Sequence, residues 1–173
     1  MATKRTQELN LSQNLNRDHK LVLKSLRKLE NCLAKAPKNS KLKQAVELLK
    51  EIKEEMNDHF QKEEEILFPS LNRHFERALA KMGAEIRPEG GPVNVMLLEH
   101  KALRTIMQNL EKATRNGSAK EISSFMTQFA ALLRSHVFRE ENVLYVVAEA
   151  KIKKREKAKI MARLRNLPKK TAK

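Results

Sequence analysis

In two places the chain sets a histidine and a glutamate four residues apart inside a stretch otherwise patterned as apolar helix. These are His59-Phe60-Gln61-Lys62-Glu63-Glu64 and His136-Val137-Phe138-Arg139-Glu140-Glu141. At about 3.6 residues per turn, positions i and i+4 stand one above the other on a single helix face. Apolar periodicity assigns that face, in both copies, to the core. A fold that accepts this sequence must bring two such faces together and supply something to offset their buried charge.

The apolar stripes define the rods. The first runs Leu15, His19, Val22, Leu26, Leu29, Leu33, and the second Leu42, Val46, Leu49, Ile52, Met56, His59, Glu63, Ile66. The third is Val93, Leu97, His100, Leu103, Met107, Leu110, and the fourth Ile122, Phe125, Phe129, Leu132, His136, Glu140, Val143, Val147. All four recur at steps of three and four, the signature of a core-facing helix. Breaks fall at Ala36-Pro37, at Gly83–Pro92, where three of the four glycines lie, and at Asn116-Gly117. Ser12 is a candidate cap for the first helix, and Ser118-Ala119-Lys120-Glu121 carries a capping-box pattern. Pro69 is expected to end or kink the second helix.

Short connections join stripes one and two, and stripes three and four, whereas the link between the halves is long. Short links make antiparallel neighbours. The expectation is an all-α fold: an antiparallel up-down four-helix bundle made of two repeated helical hairpins. His19-Lys20 and His100-Lys101 start the two hairpins alike, each followed ten residues on by a Leu-Glu pair. We divide the chain into a flexible N-terminus (1–11), the bundle (12–148) and a basic C-terminal helical extension (149–173).

Composition narrows the classes. Of the net charge of +15, residues 151–173 contribute +10, from eleven Lys/Arg against one Glu. A thin apolar edge of Ile152, Ile160, Leu164 and Leu167 accompanies that charge. The tail therefore reads first as a continuation of the fourth helix with a solvated basic face, and second as a weak, salt-sensitive polyanion contact. An interfacial membrane helix is the third reading. Cys32 is alone, which rules out an internal disulfide or a cysteine cluster. No apolar run approaches the ~20 residues of a transmembrane helix, and no secretory leader pattern opens the chain. The expected location is cytoplasmic; the oligomeric state is not readable.

Six polar residues thus lie on core stripes: His19, His59, Glu63, His100, His136 and Glu140. One such histidine is most simply a buried, hydrogen-bonded imidazole. Six at repeated positions are different, because two unpaired buried carboxylates would cost several kcal/mol each. A metal offsets that cost, and mixed imidazole and carboxylate donors suit iron, manganese or zinc. His74, about 22 Å further along a straight helix from His59, is too distant to join them.

Across residues 12–148 these motifs resemble the hemerythrin-like (HHE cation-binding) family. The resemblance rests on His59-Phe60-x-x-Glu63-Glu64-x-x-Leu67-Phe68-Pro69, Glu99-His100-x-x-Leu103 and His136-x-x-x-Glu140-Glu141-Asn142-x-Leu144-Tyr145. It implies two non-haem iron ions in an oxo- or hydroxo-bridged di-iron centre. His19 and His59 would bind one iron, His100 and His136 the other, and Glu63 and Glu140 would bridge them. Oxygen-carrying members have a further histidine where this chain has Arg104, and a fourth-helix carboxylate five residues after the histidine, here Glu141 beside Glu140. What remains is a symmetric H-HxxxE-H-HxxxE set in which nothing restricts dioxygen to one iron. That favours gas or redox sensing, or catalase- or peroxidase-like chemistry on peroxide, over oxygen carriage. A polyanion-binding regulator acting through its tail and a structural zinc or manganese bundle are the alternatives. Asp18 and Glu99 could hold imidazoles from behind, Glu64 and Glu141 lie a step round from the bridging positions, and Arg104 could neutralise a carboxylate.

Overall fold

The computed structural model describes residues 11–34, 39–81 and 91–168. Nearly all of the expected N-terminal arm, most of the long central connection and the last five residues lie outside that set. Every regular element among the described residues is helical. Helix α1 is Leu11–Leu33 and α2 is Asn39–Lys62, which passes through a π turn, Glu63–Leu67, into α3, Phe68–Lys81. The second half repeats this plan. Helix α4 is Pro92–Asn116; α5 is Ala119–Arg139 and passes through a second π turn, Glu140–Leu144, into α6, Tyr145–Lys151. A last helix, α7, spans Lys154–Arg165.

Helix α1 packs mainly on α2, and α4 on α5, while contacts of α2 with α4 and of α1 with α5 and α6 close the circuit. Two apolar clusters fill it. One holds Val22, Leu26 and Leu29 with Leu49, Ile52, Leu103, Met107, Leu110, Phe129 and Leu133. The other holds Leu11 and Leu15 with Ile66, Leu67, Phe68, Val93, Met96, Leu144 and Tyr145. The chain meets the second cluster before the first on α1 and α4, and after it beyond α2 and α5, in the π turns and the helices α3 and α6 that follow them. The polar members of the stripes sit between the two on every helix.

Four details depart from the periodic reading. Ser12 lies inside α1, its N–H and hydroxyl both reaching Glu149 Oε1 at 3.1 and 3.3 Å. Met96, not Leu97, is buried at the start of α4. Val143 is 54% exposed and Leu144 takes its inward place, because a π turn holds one more residue than an α turn and shifts the inward position by one. Pro69 does not end its helix. A π turn stands just before it, and Arg163 donates at 3.2 Å to the Glu65 carbonyl that Pro69, lacking an N–H, cannot reach.

The helix junction at Gly117 follows expectation. Gly117 has φ +70°, with Ser118 N–H donating to the Ala113 carbonyl and Gly117 N–H to that of Thr114, the two bonds that close a helix on a left-handed residue. Ser118 then stands at the N-cap of α5, but its side chain makes no capping bond.

The tail is not a continuation of the fourth helix. The backbone turns extended at Ile152 and Lys153, and α7 packs against α1 and the first π turn. Ile152, Ile160 and Leu164 are buried in the second cluster. His74 serves this join: its Nε2 is 3.0 Å from Glu156 Oε2, whose other oxygen accepts from Ser70 at 2.8 Å. No helix among the described residues is long and apolar enough to cross a membrane.

Candidate metal centre

Each of the six polar stripe residues is buried, and the structure brings all six into one layer between the apolar clusters. Four of them, Glu63, His100, His136 and Glu140, offer donor atoms lying within 4.8 Å of one another; His19, His59 and Glu140 form a second such group. Glu140 belongs to both. Its Oε2 is 3.0 Å from His19 Nε2 and 3.8 Å from His59 Nε2, while its Oε1 is 3.2 Å from His136 Nε2 and 3.8 Å from His100 Nε2. Glu63 sends in one oxygen only: Oε2 lies 3.5 Å from His59 Nε2 and 3.3 Å from His100 Nε2.

The histidines are fixed from behind. Each Nδ1 faces a carboxylate: His19 meets Glu141 at 2.9 Å, His59 meets Asp18 at 3.3 Å, His100 meets Glu64 at 2.8 Å and His136 meets Glu99 at 2.9 Å. An Nδ1–H donated to an acid fixes the tautomer and ring angle and leaves Nε2 facing inward. Three of these acids also meet a cation. Lys62 reaches Asp18 at 2.6 Å, Arg104 reaches Glu64 at 2.9 Å, and Arg139 reaches Glu99. Partial burial alone would raise the carboxyls of Asp18 and Glu64, but these bonds hold both below the usual range. Arg104 thus acts on the imidazole layer through Glu64, with its guanidinium 5.0 Å from the centre of the Phe60 ring.

Helix geometry explains which acid serves which ring. Asp18 precedes His19 by one residue, so it points about 100° away, toward α2 and His59. Glu99 does the same from α4 to His136. Glu64 and Glu141, one residue past the inward glutamates, turn to His100 and His19 on the helices at their other side.

The layer's electrostatics are dominated by its carboxylates. Burial lowers an imidazole's pKa, yet the charge of Glu63 and contacts with Asp18 and Glu140 raise His59 to about 10. His100, likewise opposed by burial, is raised to about 9 by Glu140, Glu63 and Glu64. His136 goes the other way: burial and the neighbouring His100 charge lower it in spite of Glu140. Glu140, against its burial, is held well below the carboxylate range by His100, His19 and His59. Without a metal, protons on two imidazoles offset the buried acids.

That offset is incomplete. Glu63 Oε2, His100 Nε2, His136 Nε2 and Glu140 Oε1 are buried without a hydrogen-bond partner, and they belong to the four residues of the first donor group. Buried polar atoms left unpaired call for an explanation. Convergent nitrogen and oxygen donors of this kind fit a transition-metal ion.

Sequence reasoning passed over two aromatic contributions. Phe60 stacks on His100 with ring centres 3.6 Å apart. Tyr145, the chain's one tyrosine, donates its hydroxyl to Glu63 Oε1 at 2.7 Å and lies 3.4 Å from His19 Nε2. Burial and the charges of Glu63 and Glu140 push the phenol well above its ordinary pKa, so it is the proton donor in this bond. The signal was present in the repeat, since Tyr145 occupies the position of Phe68, nine residues after the histidine in each copy.

The hemerythrin HHE cation binding domain family matches residues 10–148, and matches again over 91–167. The second match takes in α4 to α7. No curated protein and no solved structure gives a significant match. Since the first match takes in most of the chain and all six inward-facing polar residues, the chain belongs to the hemerythrin HHE cation-binding domain family.

Proposed function

We propose that the chain is a non-haem di-iron protein, an antiparallel up-down four-helix bundle with one iron at His19 and His59 and a second at His100 and His136. Glu63 and Glu140 join the two positions. The observation that carries this reading is the convergence of inward Nε2 and carboxylate atoms, with Glu63 Oε2, His100 Nε2, His136 Nε2 and Glu140 Oε1 left without a hydrogen-bond partner while every Nδ1 is held by an acid. The alternating order of the two apolar clusters along the helices supports the bundle topology.

Iron, when bound, supplies redox chemistry toward O2, peroxide or nitric oxide. The chain's own residues orient the imidazoles, exclude bulk water by burial and keep a phenolic proton beside the centre. We read the output as redox or gas sensing, or as catalase- or peroxidase-like turnover. Consumption of peroxide by the iron-loaded protein distinguishes turnover from sensing.

The test is iron content and visible absorption of protein produced with iron in excess. Two irons per chain with the spectrum of a coupled ferric pair are expected. Less than about one iron per chain would sink the reading, since a ligand set this complete should retain its metal. Tight retention of zinc or manganese with no redox response would favour a structural metal site instead.

A second reading concerns α7. Its outward face and the residues before it expose Lys151, Lys153, Lys154, Arg155, Lys159, Arg163 and Arg165. Such a surface suits weak polyanion contact that is lost with rising salt. Retention on DNA or anionic vesicles that is insensitive to salt, or absent, removes this reading.

A further inference from the structure

The two halves of the centre are related by an internal repeat, and one atom breaks it. Phe68 and Tyr145 occupy equivalent places, each five residues after an inward glutamate. Each closes its π turn by donating its N–H to that glutamate's carbonyl, Phe68 to Glu63 and Tyr145 to Glu140. Each ring stacks on a histidine of the other half, Phe68 on His100 at 5.5 Å and Tyr145 on His19 at 5.6 Å. The difference is the phenolic hydroxyl, and it occupies Glu63 Oε1.

We propose that Tyr145 is a positioning residue that makes the two metal positions unequal. By engaging one oxygen of Glu63 it limits that carboxylate to a single inward oxygen, while Glu140 presents one oxygen to each histidine pair. The position at His100 and His136 then has both carboxylates within reach of both its rings, whereas at His19 and His59 the inward oxygen of Glu63 approaches His59 at 3.5 Å and only Glu140 converges with both rings. This is the division between the four-residue and three-residue donor groups. The Tyr145 hydroxyl stands beside the poorer position, 3.4 Å from His19 Nε2. The symmetric ligand set read from the sequence therefore becomes directional.

This inference rests on the proposed iron site, and the experiment separates the two. Anaerobic titration with Fe(II) against a competing chelator is run on the full chain, on Tyr145→Phe and on Phe68→Tyr, with helicity and thermal unfolding checked for each. The wild type should fill in two steps differing by on the order of tenfold in affinity or more, the scale of the effect of outer partners on metal sites. Tyr145→Phe keeps the ring and frees Glu63 Oε1, so its two steps should converge. Phe68→Tyr places a hydroxyl in the other half and should weaken the tighter step. A Tyr145→Phe titration that superimposes on the wild type, or one that loses both steps equally, overturns the inference while leaving the iron site intact. A wild type that takes up no iron overturns the site itself.

Discussion

At the scale of single residues, each inward imidazole is paired with an acid behind it. Removing one such acid leaves the imidazole in place but frees its ring. Glu64→Gln, which loses the charge facing both His100 and Arg104, should weaken metal binding by about 10–100-fold. A chelator competition checks this, with unchanged helicity as control. The protons on His59 and His100 give a second expectation. Their folded pKa values, about 10 and about 9, lie above the ordinary imidazole value. The stability they confer on the metal-free protein is therefore fully present below about pH 6.5 and lost as pH rises through 9 to 10. Denaturant midpoints of metal-free protein should fall across that window, and added metal should flatten the fall by displacing the protons. The acids' presence was legible in the sequence, since Asp18, Glu64, Glu99 and Glu141 flank the six stripe residues. Which histidine each one holds was not, because each serves a ring on a different helix.

At the scale of elements, the two π turns are the feature that periodicity could not carry. A 3.6-residue count placed Val143 inside, and the wider turn puts Leu144 and Tyr145 there instead. Both π turns begin at an inward glutamate and end at the residue before a ring that stacks on a histidine. Regular helix is given up where the site is built, a pattern common for such turns. Deleting Val143 would restore an α turn while keeping α6 roughly in register. Stability of the metal-free protein is then expected to be kept or to rise, with iron affinity falling. Thermal unfolding and iron titration of the same variant check both halves of this expectation. If affinity is unchanged, the turn has no part in the site.

At the scale of the whole molecule, α7 belongs to the core rather than to solvent. Leu164 and Ile160 are buried against the cluster that includes Leu67, Phe68 and Tyr145. Ile160→Ala should cost about 2–4 kcal/mol, read as a lowered denaturant midpoint with unchanged slope. A mere solvated extension would show no such loss. The helix also walls a cavity of about 320 Å³ bounded by Asp18, Glu55, Asp58, Lys62, Leu164 and Arg165, next to the acid that holds His59. The helical stripes, the repeat and the six inward polar residues were legible in the sequence, because burial periodicity and spacing are local properties of a chain. The pairing of acids with imidazoles, the place of α7 and the bond from the Tyr145 hydroxyl to Glu63 appear only in three dimensions. Those depend on side chains from separate helices meeting, and no spacing along one helix records the contact.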